Sequence, residues 1–461
     1  MTIKKLANRT LRELFFVLGL LPAAIAHAGT YYVAVDGSDS HTCGQAQNQS
    51  TPRRTLNAGI GCLSSGDTLE VKAGTYTRPS VLPPSGSSWS NLTTIKRFGS
   101  DTVTLTFPKE GRNSEINFNQ GVSYVALEGF ILDGGFNTAL IIGLGDSPHH
   151  IKIANNVIKN STNMGIEGTC VGCWITSNQF HALGHSCPYI TLPDGSPAPC
   201  PTKEFNVGYS AGIYIGDQDV LIENNEFWDF AGSAIQVFNS GARPTDNTIV
   251  RYNRIHDGSG SWAVRGDGLN GSWGIILANG SNLQAYGNII TNLRGVASGP
   301  TVSNSPYGIL VMSTCSDCTV YNNTVYNNPA LPAVVVHASG TTIINNIFWN
   351  NAGVIDDQAT GVTYFASNNL CNTAAPGCSV TSDPLFVNAA GDNSALALEQ
   401  LEQAGGEVDA LQIIMGHLIA FKAIEQTMDL KPPSFIALIE AVEKVFVAIQ
   451  IAGDIKAQQH N

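Results

Sequence analysis

Apolar and polar residues alternate along the middle of this 461-residue chain in a short unit that keeps returning. Its plainest form is Ile153-Ala154-Asn155-Asn156-Val157-Ile158. Variants run from Ile175 to Phe180 around Asn178 and from Ile222 to Phe227 around Asn225. The unit returns around Asn253, Asn288, Asn323 and Asn346, and in weaker form at Asn369. A Gly-Ile pair precedes many copies: Gly165-Ile166, Gly212-Ile213, Gly274-Ile275 and Gly308-Ile309. These glycines stand 13, 13, 14 and 15 residues before the next key Asn. The key asparagines are 22 or 23 residues apart in the compact copies, 156 to 178 and 323 to 346, and further apart elsewhere.

Such a period predicts a solenoid of β-strand coils. Apolar side chains at −5, −3 and +2 from each Asn fall on one side of extended strands. Asn tolerates a left-handed backbone, so the key Asn is expected to turn the chain at a corner. Stacking would place each Asn roughly 4.8 Å above the last, where the amides can bond up the stack. Gly, Asn and β-branched residues are poor helix formers, which excludes a helical repeat.

This pattern resembles the right-handed parallel β-helix family, the pectate-lyase-like fold. Tyr31-Tyr32-Val33, Asp36-Gly37-Ser38-Asp39, Pro52, Thr55-Leu56, Gly66-Asp67-Thr68-Leu69 and Ala73-Gly74-Thr75-Tyr76 look like the first coil of secreted members, including many polysaccharide lyases. Ser382-Asp383-Pro384-Leu385-Phe386 resembles their last coil. The resemblance covers residues 30 to 392 and is specific for fold rather than activity, because one fold hosts many functions. The expected fold class is therefore all-β, a right-handed parallel β-helix over 29–392.

The ends differ from this body. Lys4, Lys5, Arg9 and Arg12, an apolar run from Leu14 to Ile25, and Ala26-His27-Ala28 before Gly29 have the form of a secretory signal peptide over 1–28. The apolar run is too short to span a bilayer. Export to the periplasm, the cell surface or the medium is the expectation. Arg53 to Leu63 is amphipathic and predicts a capping helix, stapled by Cys43 and Cys62, over a core end that would otherwise lie open. After Asn393 the composition changes. Ser394–Gln403, Val408–Met428 and Phe435–Ala457 read as helices separated by Gly405-Gly406 and Pro432-Pro433, a helical segment over 393–461. Members of the family usually continue here with strand. A helical cap and a docking module for an unknown partner are the two readings of this tail.

Charge and cysteine content narrow the compartment and partners. Net charge is −12, which argues against nucleic acid, whose phosphates need clustered Lys and Arg. Ten cysteines fall in local pairs: Cys43/Cys62, Cys170/Cys173, Cys187/Cys200, Cys315/Cys318 and Cys371/Cys378. The two C-x-x-C motifs can be read as a zinc site or as disulfides. The repeat places them at one corner but four coils, roughly 19 Å, apart, too far to share a metal. Disulfides in an oxidising compartment are the favoured reading.

The outward columns carry the candidate chemistry. Position +3 holds Lys159, His181, Trp228, His256, Thr291, Tyr326 and Trp349; +1 holds Gln179, Glu226 and Arg254; −2 holds Glu223, Arg251, Tyr286 and Tyr321. Insertions at 184–208, 257–272 and 293–306 leave after the same strand and can wall a binding face. Aromatic rings suit sugar faces, and His, Arg and Lys suit acid groups. The predicted partner is thus a polysaccharide bound by His181, Glu226, Trp228, Arg251, Arg265, Tyr286 and Tyr326. Stacked aromatics can also serve solenoid stability alone.

By resemblance, β-elimination of an acidic glycan is the first expectation, with His256, Lys203 or Arg254 as base or carboxylate neutraliser. Calcium often serves in this fold, and Asp217, Asp219 and Glu223 offer oxygen ligands. Glycoside hydrolysis is the rival chemistry, because Asp229 and Asp257 share position +4 in adjacent coils. The full motif set of polygalacturonase-like hydrolases and the Asp-Pro-His-Asp signature of alginate epimerases are not found. A glycan-binding or adhesion protein without catalysis is the alternative from a different class.

Overall fold

The computed structural model describes residues 28–396 apart from 78–80, 108–115, 119–120, 137–139, 146–147, 185–210, 239–242, 259–260, 263–268, 271, 294–306, 358–360, 381–385 and 389–392. The signal-peptide segment, Cys187, Cys200, Lys203, Arg265 and the tail beyond Leu396 lie outside the described residues.

The chain winds into stacked coils. Each coil lays one strand into a 12-stranded sheet, turns at the asparagine corner, and lays two more into a 19-stranded sheet with two arms. Pairing between coils is parallel and in register with the repeat. Ile153 pairs with Ile175, Ile175 with Ile222, Ile222 with Val250. Long strands join the arms of the second sheet: Thr324–Val336 pairs with Ile289–Thr291 in one arm and Ile309–Val311 in the other.

The core is the stack of inward positions. Phe180 and Phe227 at +2 are fully buried and lie face to face, centroids 4.6 Å apart. Their size explains the Gly-Ile element. A Cβ on Gly212 would stand 2.6 Å from the Ala234 carbonyl oxygen and 2.8 Å from the Phe227 ring. The glycine therefore makes room for both the next coil and the large +2 side chain.

The predicted asparagine ladder is continuous from Asn156 to Asn369. Each Nδ2 donates to the Oδ1 of the next key Asn at 2.9–3.1 Å, and each backbone N–H donates to the same oxygen. The turn itself is placed differently from expectation. The left-handed residue is the one before each ladder Asn: Asn155, Ser177, Asn224, Tyr252, Gly287, Asn322, Asn345 and Asn368. The ladder Asn is buried because its amide, rather than its backbone, is what the corner uses.

Four of the five cysteine pairs lie within the described residues, and all four are disulfides: Cys43–Cys62, Cys170–Cys173, Cys315–Cys318 and Cys371–Cys378. The helix expected over Arg53–Leu63 is shorter, α2 (Leu56–Ile60), capped by Thr55, whose hydroxyl accepts from Ala58 N–H. It follows α1 (Cys43–Ala46) and buries Leu56 and Ile60 in the core. At the other end, Asn393–Leu396 is a strand antiparallel to Phe386–Asn388. The helix expected over Ser394–Gln403 therefore does not begin at Ser394, where strand pairing overrides a local helix preference, and its remainder lies outside the described residues. Among the described residues no helix is long and apolar enough to cross a membrane.

Candidate functional site

The second corner of each coil shapes the site. Position +4 has a left-handed backbone at Asn160, Ala182, Asp229, Asp257, Asn292, Asn327 and Asn350. Asx residues suit that conformation, and their side chains also connect. Asn292 Nδ2 donates to Asp257 Oδ1 at 3.1 Å, and Asn350 Nδ2 donates to Asn327 Oδ1 at 2.9 Å. Asp229 and Asp257 are thus turn residues first, on adjacent coils, with Asp229 N–H donating to the Asp257 carbonyl at 3.1 Å.

Just before this corner, the +3 rings stack along the solenoid. His181 lies on Trp228 and Trp228 on His256, with centroids 6.2 Å apart and planes within 13° for the second pair. The register His181–Trp228 forces this. His181 and Trp228 are half-buried. Burial and the Lys159 charge on the preceding rung hold the His181 imidazole below its ordinary range, against the opposing pull of Asp229 and Asp133. Both effects favour the neutral ring, which carries a lone pair on one nitrogen. Lys159 Nζ lies 3.5 Å from Asp133.

His256 is placed otherwise. Its Nδ1 is 2.8 Å from Asp257 Oδ2 and its Nε2 is 3.2 Å from Glu226 Oε1. Both nitrogens face carboxylate, so the ring can donate at both ends only as imidazolium. Arg254 binds the same Glu226 oxygen, and Gln179 Nε2 is 3.5 Å from the other. Burial pushes the Glu226 carboxyl up, but His256 and Arg254 together outweigh it and hold it below the usual carboxylate range. His256 and Arg254, each expected as base or carboxylate neutraliser, are both engaged by carboxylates of the protein.

The −2 residues belong to the neighbouring face across the asparagine corner. Arg251 Nε donates to Glu223 Oε2 at 2.6 Å and its Nη1 to Tyr286 Oη at 2.8 Å. Trp174 Nε1 donates to Glu223 Oε1 at 2.9 Å. Arg251 and Tyr286 therefore do not join the His181 column. Tyr326 does share its register, next to Thr291 and Trp349, but is 2% exposed. Tyr326, expected to bind substrate, is thus in an outward register but almost fully buried.

The acids expected to offer calcium ligands each have a partner within the protein. Asp217 pairs with Arg243, Asp219 accepts from Asn247 Nδ2, and Glu223 is buried between Trp174 and Arg251. They do not converge on one point, and calcium needs six to eight oxygens. Among the described residues no cluster of His, Cys, Asp or Glu fits a metal. Of the three expected wall insertions, the described part of the second holds a hairpin, Ser261–Trp262 against Leu269–Asn270.

Two outward residues on the other arm escaped the sequence reading. Glu167 and Tyr214 are register neighbours one position after the Ile of the Gly-Ile pair. Burial raises both groups, and the Glu167 charge raises Tyr214 further. Their fixed offset from that pair was the available signal.

Coils in parallel register, closed by a buried asparagine ladder, define a β-solenoid with an outward face of stacked rings. The chain belongs to the right-handed β-helix family: its model, described as "Right handed beta helix region", matches residues 115–324 and 202–371, together more than half of the chain. No curated protein matches the sequence. Among solved structures, the GH136 lacto-N-biosidase from Eubacterium ramulus is similar at 12% identity and TM-score 0.51, over 79% of this chain and 69% of that one. The pectate lyase Pel9A is 13% identical at TM-score 0.44, over 80% and 85%. The Streptococcus pneumoniae surface adhesin PfbA is 12% identical at TM-score 0.47, over 74% and 84%. At such identities the likeness is one of fold.

Proposed function

We propose that this is an exported polysaccharide-active protein, and that its His181 column cleaves an acidic glycan by β-elimination. The observation that carries this is a half-buried imidazole lying flat on Trp228 with the Lys159 ammonium one rung away, surroundings that favour its neutral form. Elimination needs that combination. His181 takes the proton beside the uronate carboxylate. The C–H electron pair forms the C=C bond, and the glycosidic oxygen leaves and is protonated from water. Lys159, whose 3.5 Å pairing with Asp133 is looser than those of Arg254 and Arg251, swings from that partner to offset the negative charge that builds on the carboxylate. Trp228, stacked between His181 and His256, offers its half-exposed edge to a sugar ring, while Glu226, His256, Arg254 and Asp257 hold the next rung rigid. Fold neighbours that are named as a pectate lyase and as an alginate lyase are compatible with this reading.

The test is absorbance from new C=C bonds on pectate, alginate and glycosaminoglycans, with and without calcium. Turnover on one of them, lost in His181→Ala, supports the reading. No absorbance on any of them sinks it. A second reading is favoured by the internal pairing of Arg254, His256 and Glu226, which leaves few charged groups uncommitted: a glycan-binding surface protein. Binding without product, lost in Trp228→Ala, selects that one.

A further inference from the structure

The far end of the first sheet carries a second group of rings, away from the His181 column. Trp89 sits at the tip of a tight turn in which Ser87 N–H donates to Asn91 O at 3.1 Å and Asn91 N–H to Ser88 O at 3.0 Å. The turn is tied to the first sheet: Gly86 N–H donates to Ser123 O at 2.9 Å, and Ser123 N–H to Ser85 Oγ at 3.0 Å. Trp89 thereby spans three successive coils. Its ring is 6.2 Å from Tyr124, 5.6 Å from His150 and 6.3 Å from Trp174, near perpendicular to each. It is nevertheless 43% exposed, one of few large apolar side chains in that state.

The backbone beneath it is unusual in an independent way. One turn position is left-handed in coil after coil, and later coils fill it with residues that suit it: Gly172, Asp219, Asn247, Asn282 and Asp317. Only on the rungs under Trp89 is it filled by bulky rings, Tyr124 at φ 54° and His150 at φ 57°. These two stack at 4.6 Å. Bulky side chains in that conformation are strained, and such strain collects at ligand sites.

Charge at the patch is already matched. Lys152 pairs with Glu128 at 2.9 Å while lying over the Trp174 ring. His149 and His150 face each other through Nδ1 at 2.8 Å, so one ring donates to the other. What remains for a ligand is ring surface with neutral polar edges, which suits the C–H face of an uncharged pyranose rather than an anion.

We infer that Trp89, Tyr124, His150 and Trp174 form a second glycan-binding surface, for neutral pyranose chains. It is independent of the His181 reading. The test uses full-length protein carrying 5-fluorotryptophan, with the Trp89 resonance assigned by Trp89→Phe. Cellohexaose, xylohexaose and mannohexaose are titrated in turn. The expected result is a saturable shift of the Trp89 resonance with at least one of them. Calorimetry should then show its affinity reduced at least tenfold in Trp89→Ala, less in Trp89→Phe, and not at all in His181→Ala. If no oligosaccharide moves the resonance at millimolar concentration, or if Trp89→Ala binds like wild type, the inference is wrong. Should Trp89→Ala fail to fold, the wild-type titration decides alone.

Discussion

His181 lies face to face with Trp228, ring centroids 4.5 Å apart and planes 11° apart. The indole shields one side of the imidazole from water, and Lys159 stands on the rung at its other side. Both effects favour the neutral ring. An active enzyme should therefore lose activity only when acid finally protonates His181. In the pH profile of kcat/KM, the acid limb should lie below the ordinary histidine value of 6.5. Lys159→Gln removes a nearby positive charge, so its limb should move to higher pH, and its KM for an acidic polymer should rise. A limb that stays put in Lys159→Gln would separate the two residues.

Acid should weaken the fold through the same column. Glu226 has its carboxyl held below the ordinary 4.5. An unfolded chain then takes up a proton before the folded one does, so stability present above 4.5 is lost as pH falls through the folded value. His181, also lowered, adds loss in the same direction, beginning below 6.5. Denaturant unfolding at steps from pH 7 to 3 should show a decline in both windows. Glu226→Gln should start less stable at pH 7, because it leaves Arg254 and His256 short of a partner, and should show a shallower slope below 4.5. An unchanged slope would show that Glu226 does not carry the acid response.

How much of this was legible in the sequence depends on what the repeat can encode. Recurring Asn225, Asn253 and Asn288 gave the corner, and with it the columns, since one residue of register fixes which side every other residue faces. The stack of His181, Trp228 and His256 followed from counting. Pairing through space did not. That His256 is clasped by Glu226 and Asp257 depends on rotamers across two coils, and the burial of Tyr326 is not encoded by its register position. The left-handed residue was misplaced by one because both Asn155 and Asn156 are asparagine, and only the later coils, with Ser177 or Tyr252 at that place, distinguish the turn residue from the ladder residue.

The ladder should be most sensitive at its centre. Asn225 links Asn178 and Asn253, and also donates to the Ile175 carbonyl at 3.0 Å. Asn225→Ala would strand buried donors and acceptors on two coils. Losses of that kind cost roughly 1–3 kcal/mol each, so about 3 kcal/mol in all is expected from urea unfolding. Asn369→Ala, at the last rung, should cost less. Equal effects at both places would argue that the ladder is not a connected unit.

The Gly-Ile element makes a prediction of opposite character, since it concerns an absent side chain. Gly212 faces the Ala234 carbonyl oxygen and the Phe227 ring at distances no Cβ can keep. Gly212→Val must push the next coil away or tilt Phe227 out of its stack with Phe180. Overpacking of this sort costs about 1–3 kcal/mol, more where the backbone is the obstacle. The second substitution, Phe227→Leu, shortens the opposing ring, so the double variant should recover part of the loss if the ring is the main obstacle. Recovery of none would assign the clash to the Ala234 carbonyl, and hence to the spacing between coils. Thermal unfolding of the two single variants and the double variant separates these outcomes. Gly212→Val as stable as wild type would remove the packing account of the glycine column altogether.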